Sequence, residues 1–272
     1  MENCKRRRSM YLDSFYSDFN NGCGLCVDRP ATGSVVSYPG NQKEMGLAGD
    51  QEAIQIPLGV RKMKDSVYIV AGGTSLSKYN FSKLKDKEVI TVNHSLYSVP
   101  WCKYFVTMDY SFLTKTNIDR FRSIDCDKYF VVNLAVDYLK EINGAYIDTR
   151  SEIGYDLKDF DVIVKSYQKE GLGLDFKNFC NGFNSAFCAF QLAVILGYKE
   201  INLLGFDFRC DKQTHYHNAY KQDAEHFQRK LDEYYRTFLI GLETLYRIKP
   251  EVKVNNCSKT SRLIEHLGLT EE

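Results

Sequence analysis

The stretch NSAFCAFQLAVILGYKEINLLGFDF, residues 184–208, constrains the fold more than any other part of the chain. Its first half places apolar residues at helical spacing and adds small residues that allow close packing. Asn184 or Ser185 stands where a helix N-cap belongs, and Gly197 where the glycine after a helix belongs. EINLLGFDF then reads as a buried strand. The same alternation precedes and follows it. SVYIVA, EVITVNHS, KYFVTMD and DKYFVVN read as strands, while KYNFSKLKD and TKTNIDRFRS have helical character. A long amphipathic helix is expected over Asp223–Tyr246, then a strand at VKVNNCS and a closing helix at Ser261–Leu267. Residues 137–175 are polar and contain glycine, and they read as connections or a lid. Strands separated by helices imply an α/β fold of Rossmann-like type, a mostly parallel sheet with helices on both faces.

Residues 1–64 break this pattern with the clusters NNGCG, DRPATGS, YPGNQ and GLAGD. An irregular or partly disordered extension is expected there, with one short helix near Tyr11–Phe19 and the folded domain occupying 65–272. A chain of 272 residues with 44% apolar and 26% charged residues suits one large domain with an appendage. The formal net charge of +1 argues against binding nucleic acid or a membrane surface by bulk electrostatics. Nine cysteines, an odd number without framework spacing, and no secretory apolar stretch point to reduced thiols in a cytoplasmic compartment. Cys23 and Cys26 form the one close pair, but no second pair stands near to complete a zinc site. No stretch reaches the roughly 18 apolar residues of a membrane span.

In open α/β sheets ligands bind beyond the carboxyl ends of the strands, so the residues that follow each strand are the candidates. They are Gly72, Gly73, Thr74 and Ser75 after the first strand, and Asn93, His94 and Ser95 after the second. Asp109, Tyr110 and Ser111 follow the third, Asn133 the fourth, Gly205, Asp207 and Phe208 the fifth, and Asn255–Ser258 the last. The AGGTSL loop suits a tight turn or a backbone cradle for phosphate. It lacks the lysine of a Walker loop and the third glycine of a dinucleotide fingerprint. Asn93 could bind a base or ribose or close an Asx turn, and Asp109 could hold a metal or sugar hydroxyl or cap a helix. Asp207 has the same two readings. His215 and His217, in the polar loop DKQTHYHNAY, suit a general base that deprotonates an alcohol. As a metal pair they would need a further ligand, with Asp211 and Asp223 as the candidates. His226 and His266 fall in helices and read as surface or core positions.

Residues 184–208 resemble the core of the bacterial CMP-sialic-acid-dependent sialyltransferases. Those enzymes belong to a wider Rossmann-like group with flagellin-modifying Maf-type proteins and archaeal hydroxymethylpterin pyrophosphokinases. The resemblance runs in order over roughly 66–267. It implies that Gly72, Gly73 and Ser75 face a donor phosphate, that Asn93 meets the nucleotide, and that Asn184 and Ser185 lie near the donor sugar. It places the GFDF segment, with Gly205 and Asp207, against the nucleotide. It also implies a general-base histidine in Thr214-His215-Tyr216-His217, with His217 preferred. Departures stand beside these matches. Gly73 replaces an asparagine of the phosphate loop, Asp109 replaces another, and CNGFNS has no counterpart of an arginine before the helix. The family's two phosphate-stabilising tyrosines have Tyr216 and Tyr220 as their nearest partners.

The leading expectation is a glycosyltransferase that moves a sugar from a nucleotide-activated donor, CMP-sialic-acid-like, to a glycan or other hydroxyl acceptor. It would need no metal or other cofactor. The alternatives are a magnesium-dependent pyrophosphokinase with Asp109 and Asp207 as metal carboxylates, and a non-catalytic module that binds a nucleotide or glycan. No sequence pattern encodes the oligomeric state.

Overall fold

The computed structural model describes residues 64–142, 145–149, 153–155, 157–210, 212–219 and 223–270. The expectations for residues 1–63, including the Cys23–Cys26 pair and the helix near Tyr11–Phe19, and those for Asp211 and Tyr220, lie outside the described residues. A seven-stranded sheet, parallel throughout, forms the centre. Its first four strands are β1 (Lys64–Val70), β2 (Val89–Val92), β3 (Tyr104–Thr107) and β4 (Asp127–Asn133). An antiparallel trio follows, β5 (Leu139–Ile142), β6 (Ala145–Asp148) and β7 (Ile153–Tyr155), and then β8 (Val162–Ser166), β9 (Tyr198–Leu204) and β10 (Lys253–Asn256). The order in the large sheet is β10-β9-β1-β2-β3-β4-β8. Strand order therefore reverses between β1 and β9, and a crevice opens beyond their carboxyl ends.

The two faces of this sheet are covered differently. One carries the long helices α3 (Ser185–Ile195) and α4 (Ala224–Ile248), which follow α1 (Tyr110–Lys115) and α2 (Ile118–Arg122) in the chain. Phe187, Cys188, Ala189, Phe190, Leu192, Ala193 and Val194 of α3 are all buried in that core. Asn184 caps α3 by accepting from the Phe187 amide at 2.8 Å, and Gly197 takes a φ of +82° just past its end. Asp223 caps α4 in the same way through the His226 amide. The other face is closed by short pieces: α1, α2 and 3₁₀ turns at Thr74–Lys78, Phe81–Leu84 and Asn93–Tyr97. Leu84, Leu96, Phe105, Phe112, Phe121 and Phe130 fill that second core. The expected helix at KYNFSKLKD is instead a single 3₁₀ turn at Phe81–Leu84, capped by Asn80, whose side chain accepts from the Ser82 amide. Residues 137–175 hold β5–β8, and β8 pairs with β4 as the sheet's edge. The closing helix, α5, covers Ile264–Leu267. Among the described residues no helix is long and apolar enough to cross a membrane.

Candidate active site

At the β1/β9 reversal lies a cleft of about 460 Å³, within the range of small-molecule sites. Twelve of the sequence candidates line it: Gly72, Gly73, Asn93, Asp109, Ser111, Asn184, Ser185, Gly205, Asp207, Phe208, His215 and His217. Thr74, Ser75 and Tyr216 do not line it. Among the described residues three non-glycine residues adopt a positive φ, Asn93 (52°), Phe183 (60°) and Phe208 (53°), and all three border this cleft. Such left-handed residues cost about 1 kcal/mol each and gather where a site dictates the backbone.

The glycine loop is tight because its neighbours demand it. A Cβ on Gly73 would lie 2.5 Å from the Gly205 carbonyl oxygen and 2.6 Å from the Asp207 carboxylate. A Cβ on Gly72 would lie 2.7 Å from the His215 ring. An asparagine at position 73 is therefore sterically barred. Several amides of the loop are already engaged. Gly73 N–H donates to Gly205 O at 3.0 Å, Leu76 N–H to Gly73 O at 3.2 Å, and Ser75 N–H to Asp207 Oδ2 at 2.8 Å. Ser75 Oγ and Ser258 Oγ also donate to Asp207 Oδ1, each at 2.7 Å. Asp207, buried at 2% exposure, is thus a lock that joins the loops after β1, β9 and β10.

Other groups remain turned toward the cleft. Thr107 Oγ1 donates to Asn93 Oδ1 at 2.7 Å, which leaves the Asn93 amide nitrogen to donate to a ligand acceptor. Ser185 Oγ accepts from the Met108 amide at 3.0 Å, and its own hydrogen can be offered onward. Ser185 and Ala186 form the first turn of the eleven-residue helix α3, so its positive end opens on the cleft. Asn184 has no such freedom, because its Oδ1 caps Phe187 and its Nδ2 donates to Gly182 O. Asp109 uses Oδ1 to cap the Ser111 amide at 2.9 Å.

The histidine loop is pinned against the glycine loop: Tyr216 N–H donates to Gly72 O at 3.1 Å. Tyr216 packs on the far side against Phe81 and donates its hydroxyl to Ser98 at 2.9 Å. Its anchoring turns His215 and His217, one residue to either side, toward the cleft. The two rings stack 5.2 Å apart, and His217 lies 5.5 Å from buried His94. Thr214 Oγ1 sits 3.1 Å from His215 Nδ1. Burial lowers the His215 pKa to about 4, with Asp109 pulling it up and His94 down. Burial, then His215 and His94, lower His217 to about 3. Both rings are neutral at pH 7.

Sequence reasoning missed the wall supplied by α4. Phe227, Lys230, Leu231 and Tyr234, spaced three, four and seven residues apart, form one helix face on the cleft. Burial, with help from Glu233 and Asp109, raises the Tyr234 phenol to about 12, so it keeps its proton. Arg209 lines the same rim. The helical spacing of the α4 residues is visible in the sequence, but which face meets the cleft is set by packing.

No protein-family profile matches the chain, and no curated protein does. Among solved structures it is similar to a Maf glycosyltransferase from Magnetospirillum magneticum AMB-1, with a TM-score of 0.43 and 14% identity, over 79% of this chain and 33% of the other. The chain therefore spans about a third of that protein. A sialyltransferase CST-II in complex with trisaccharide acceptor and CMP gives a TM-score of 0.42 and 18% identity, over 75% and 85% of the two chains. CstII from Campylobacter jejuni, in complex with the substrate analogue cytidine-5'-monophosphate, gives 0.35 and 16%, over 76% and 86%.

Proposed function

We propose that the chain is a glycosyltransferase that uses a nucleotide-activated sugar, without an obligatory metal. The observation that carries this reading is the pair of neutral histidines facing, across one cleft, a helix N-terminus and the Asn93 donor. In the reaction a histidine, His217 by preference, takes the proton of the acceptor hydroxyl as its oxygen attacks the anomeric carbon. The bond from that carbon to the phosphate oxygen breaks, and the nucleotide leaves with the electron pair. The growing phosphate charge is met by the first turn of α3 and by the protonated Tyr234 hydroxyl. A base of pKa 3–4 is weak, but an anionic donor beside it favours the charged ring and raises that value toward neutrality. The finer reading, a CMP-sialic-acid-like donor and a glycan acceptor, rests on the resemblance of residues 184–208.

A magnesium-dependent phosphoryl transfer would need carboxylates open to the cleft. Asp207 already accepts three hydrogen bonds and Asp109 Oδ1 caps Ser111, which favours the glycosyltransferase. The test is thermal unfolding against a panel of CMP and UDP sugars, with and without Mg²⁺. The proposal expects a sugar nucleotide to raise the Tm without metal. Stabilisation that requires Mg²⁺ would favour phosphoryl transfer, and no stabilisation by any sugar nucleotide would reject the proposal.

A further inference from the structure

Beyond the Asp207 lock, a second opening of about 700 Å³ lies outside the active-site cleft. Ser75 and Ser258, which hold Asp207 from one side, form part of its wall. Lys78 and Lys83, both from the β1–β2 connection, and Lys259, from the segment after β10, line it, and among the described residues no carboxylate does. None of these three lysines forms an ion pair among the described residues. The chain behind its wall residues Ser258, Leu269 and Thr270 is fixed rather than loose. Asn256, fully buried, donates from Nδ2 to the Ser258 and Gly268 carbonyls, each at 3.1 Å, and accepts from the Ser258 amide at 3.2 Å. The Thr270 amide then donates to Asn256 O at 2.9 Å, which brings the tail 268–270 alongside β10.

Three ammonium groups around one concavity, none in an ion pair among the described residues, repel one another and focus a positive potential into it. Lysine meets phosphate as a compact point charge, and several lysines from different segments suit a ligand that concentrates charge in a small volume. We propose that this opening is a second binding site, for a small anion of the pyrophosphate or polyphosphate class. Lys78, Lys83 and Lys259 bind it, and the Thr260 hydroxyl at the rim adds a donor. The site does not depend on the sugar-nucleotide reading, because no residue of the active-site wall contributes to it.

Calorimetric titration of the full chain with pyrophosphate tests this, using the wild type, Lys78→Glu/Lys259→Glu, the milder Lys78→Gln/Lys83→Gln/Lys259→Gln, and Asn93→Ala. All three lysines are exposed, so the fold should survive, which circular dichroism checks. Saturable binding is expected in the wild type, weakened at least about tenfold in both lysine variants. Asn93→Ala should leave the affinity within about twofold, and citrate should bind more weakly than pyrophosphate. Four results would overturn the proposal: no saturable binding to the wild type, indifference to the lysines, loss in Asn93→Ala, or citrate binding as tightly as pyrophosphate.

Discussion

Asp207 and Asn93 stand on opposite sides of β1 at one rim, each just past a strand, and both read in sequence as ligand contacts. Their surroundings differ. Three donors from the loops after β1 and β10 converge on Asp207 and occupy its carboxylate. A single donor, Thr107, engages the Asn93 oxygen and so turns its amide nitrogen outward. The first residue holds the rim together, whereas the second is held by the rim for something else to meet. A polar residue at the carboxyl end of a strand is therefore a ligand contact only where its neighbours leave a donor or acceptor over.

The largest expected effect falls on the lock. Asp207→Ala would leave the Ser75 amide and two hydroxyls without their charged acceptor, at a cost of roughly 3–5 kcal/mol in urea unfolding. A loss under about 1 kcal/mol would make Asp207 no more structural than Asn93. Asn93→Ala should do the reverse, with near-wild-type stability but sugar-nucleotide binding weakened about tenfold, as titration would read. If Asn93→Ala unfolds the chain while ligand affinity is kept, the contrast collapses.

The smallest effect is a pH slope. An ordinary histidine has a pKa of 6.5, and in the fold His215 lies near 4 and His217 near 3. Below pH 6.5 the unfolded chain binds protons on these two rings that the folded chain does not. Their contribution is therefore full above 6.5, declines as the pH falls toward 4 and then 3, and is flat below that. Unfolding between pH 7 and pH 5 should show a shallower slope in His215→Gln/His217→Gln than in the wild type. Equal slopes would mean the rings are not held neutral.

The sheet was legible because its strands are short apolar runs, and β4 falls on DKYFVVN residue for residue. Helix α3 was legible because its cap, apolar spacing and terminal glycine agree. Strand β8 was missed: VIVKS lies in a polar stretch and is an edge strand with a mixed face. Within the site, the rim residues followed from topology alone, but their roles depended on partners distant in sequence. Ser75 meets Asp207 across 132 positions, and nothing local in AGGTSL shows that its hydroxyl is already used. Tyr216 between two histidines looks catalytic in sequence, yet its hydroxyl reaches Ser98 on the other side of the loop. The α4 wall needed the packing of a 25-residue helix to choose which stripe faces inward.

The central claim is that a neutral, buried histidine at this cleft accepts the proton of the acceptor. The direct measurement is nucleotide release from sugar nucleotides in the presence of a hydroxyl acceptor, by the wild type and by His217→Gln, His215→Gln and the double variant, each with its Tm recorded. Turnover by the wild type without metal is expected, falling about a hundredfold or more in the variant that lacks the base while its Tm holds. Full turnover in the double variant, or none in a wild type that binds the donor, would contradict the claim.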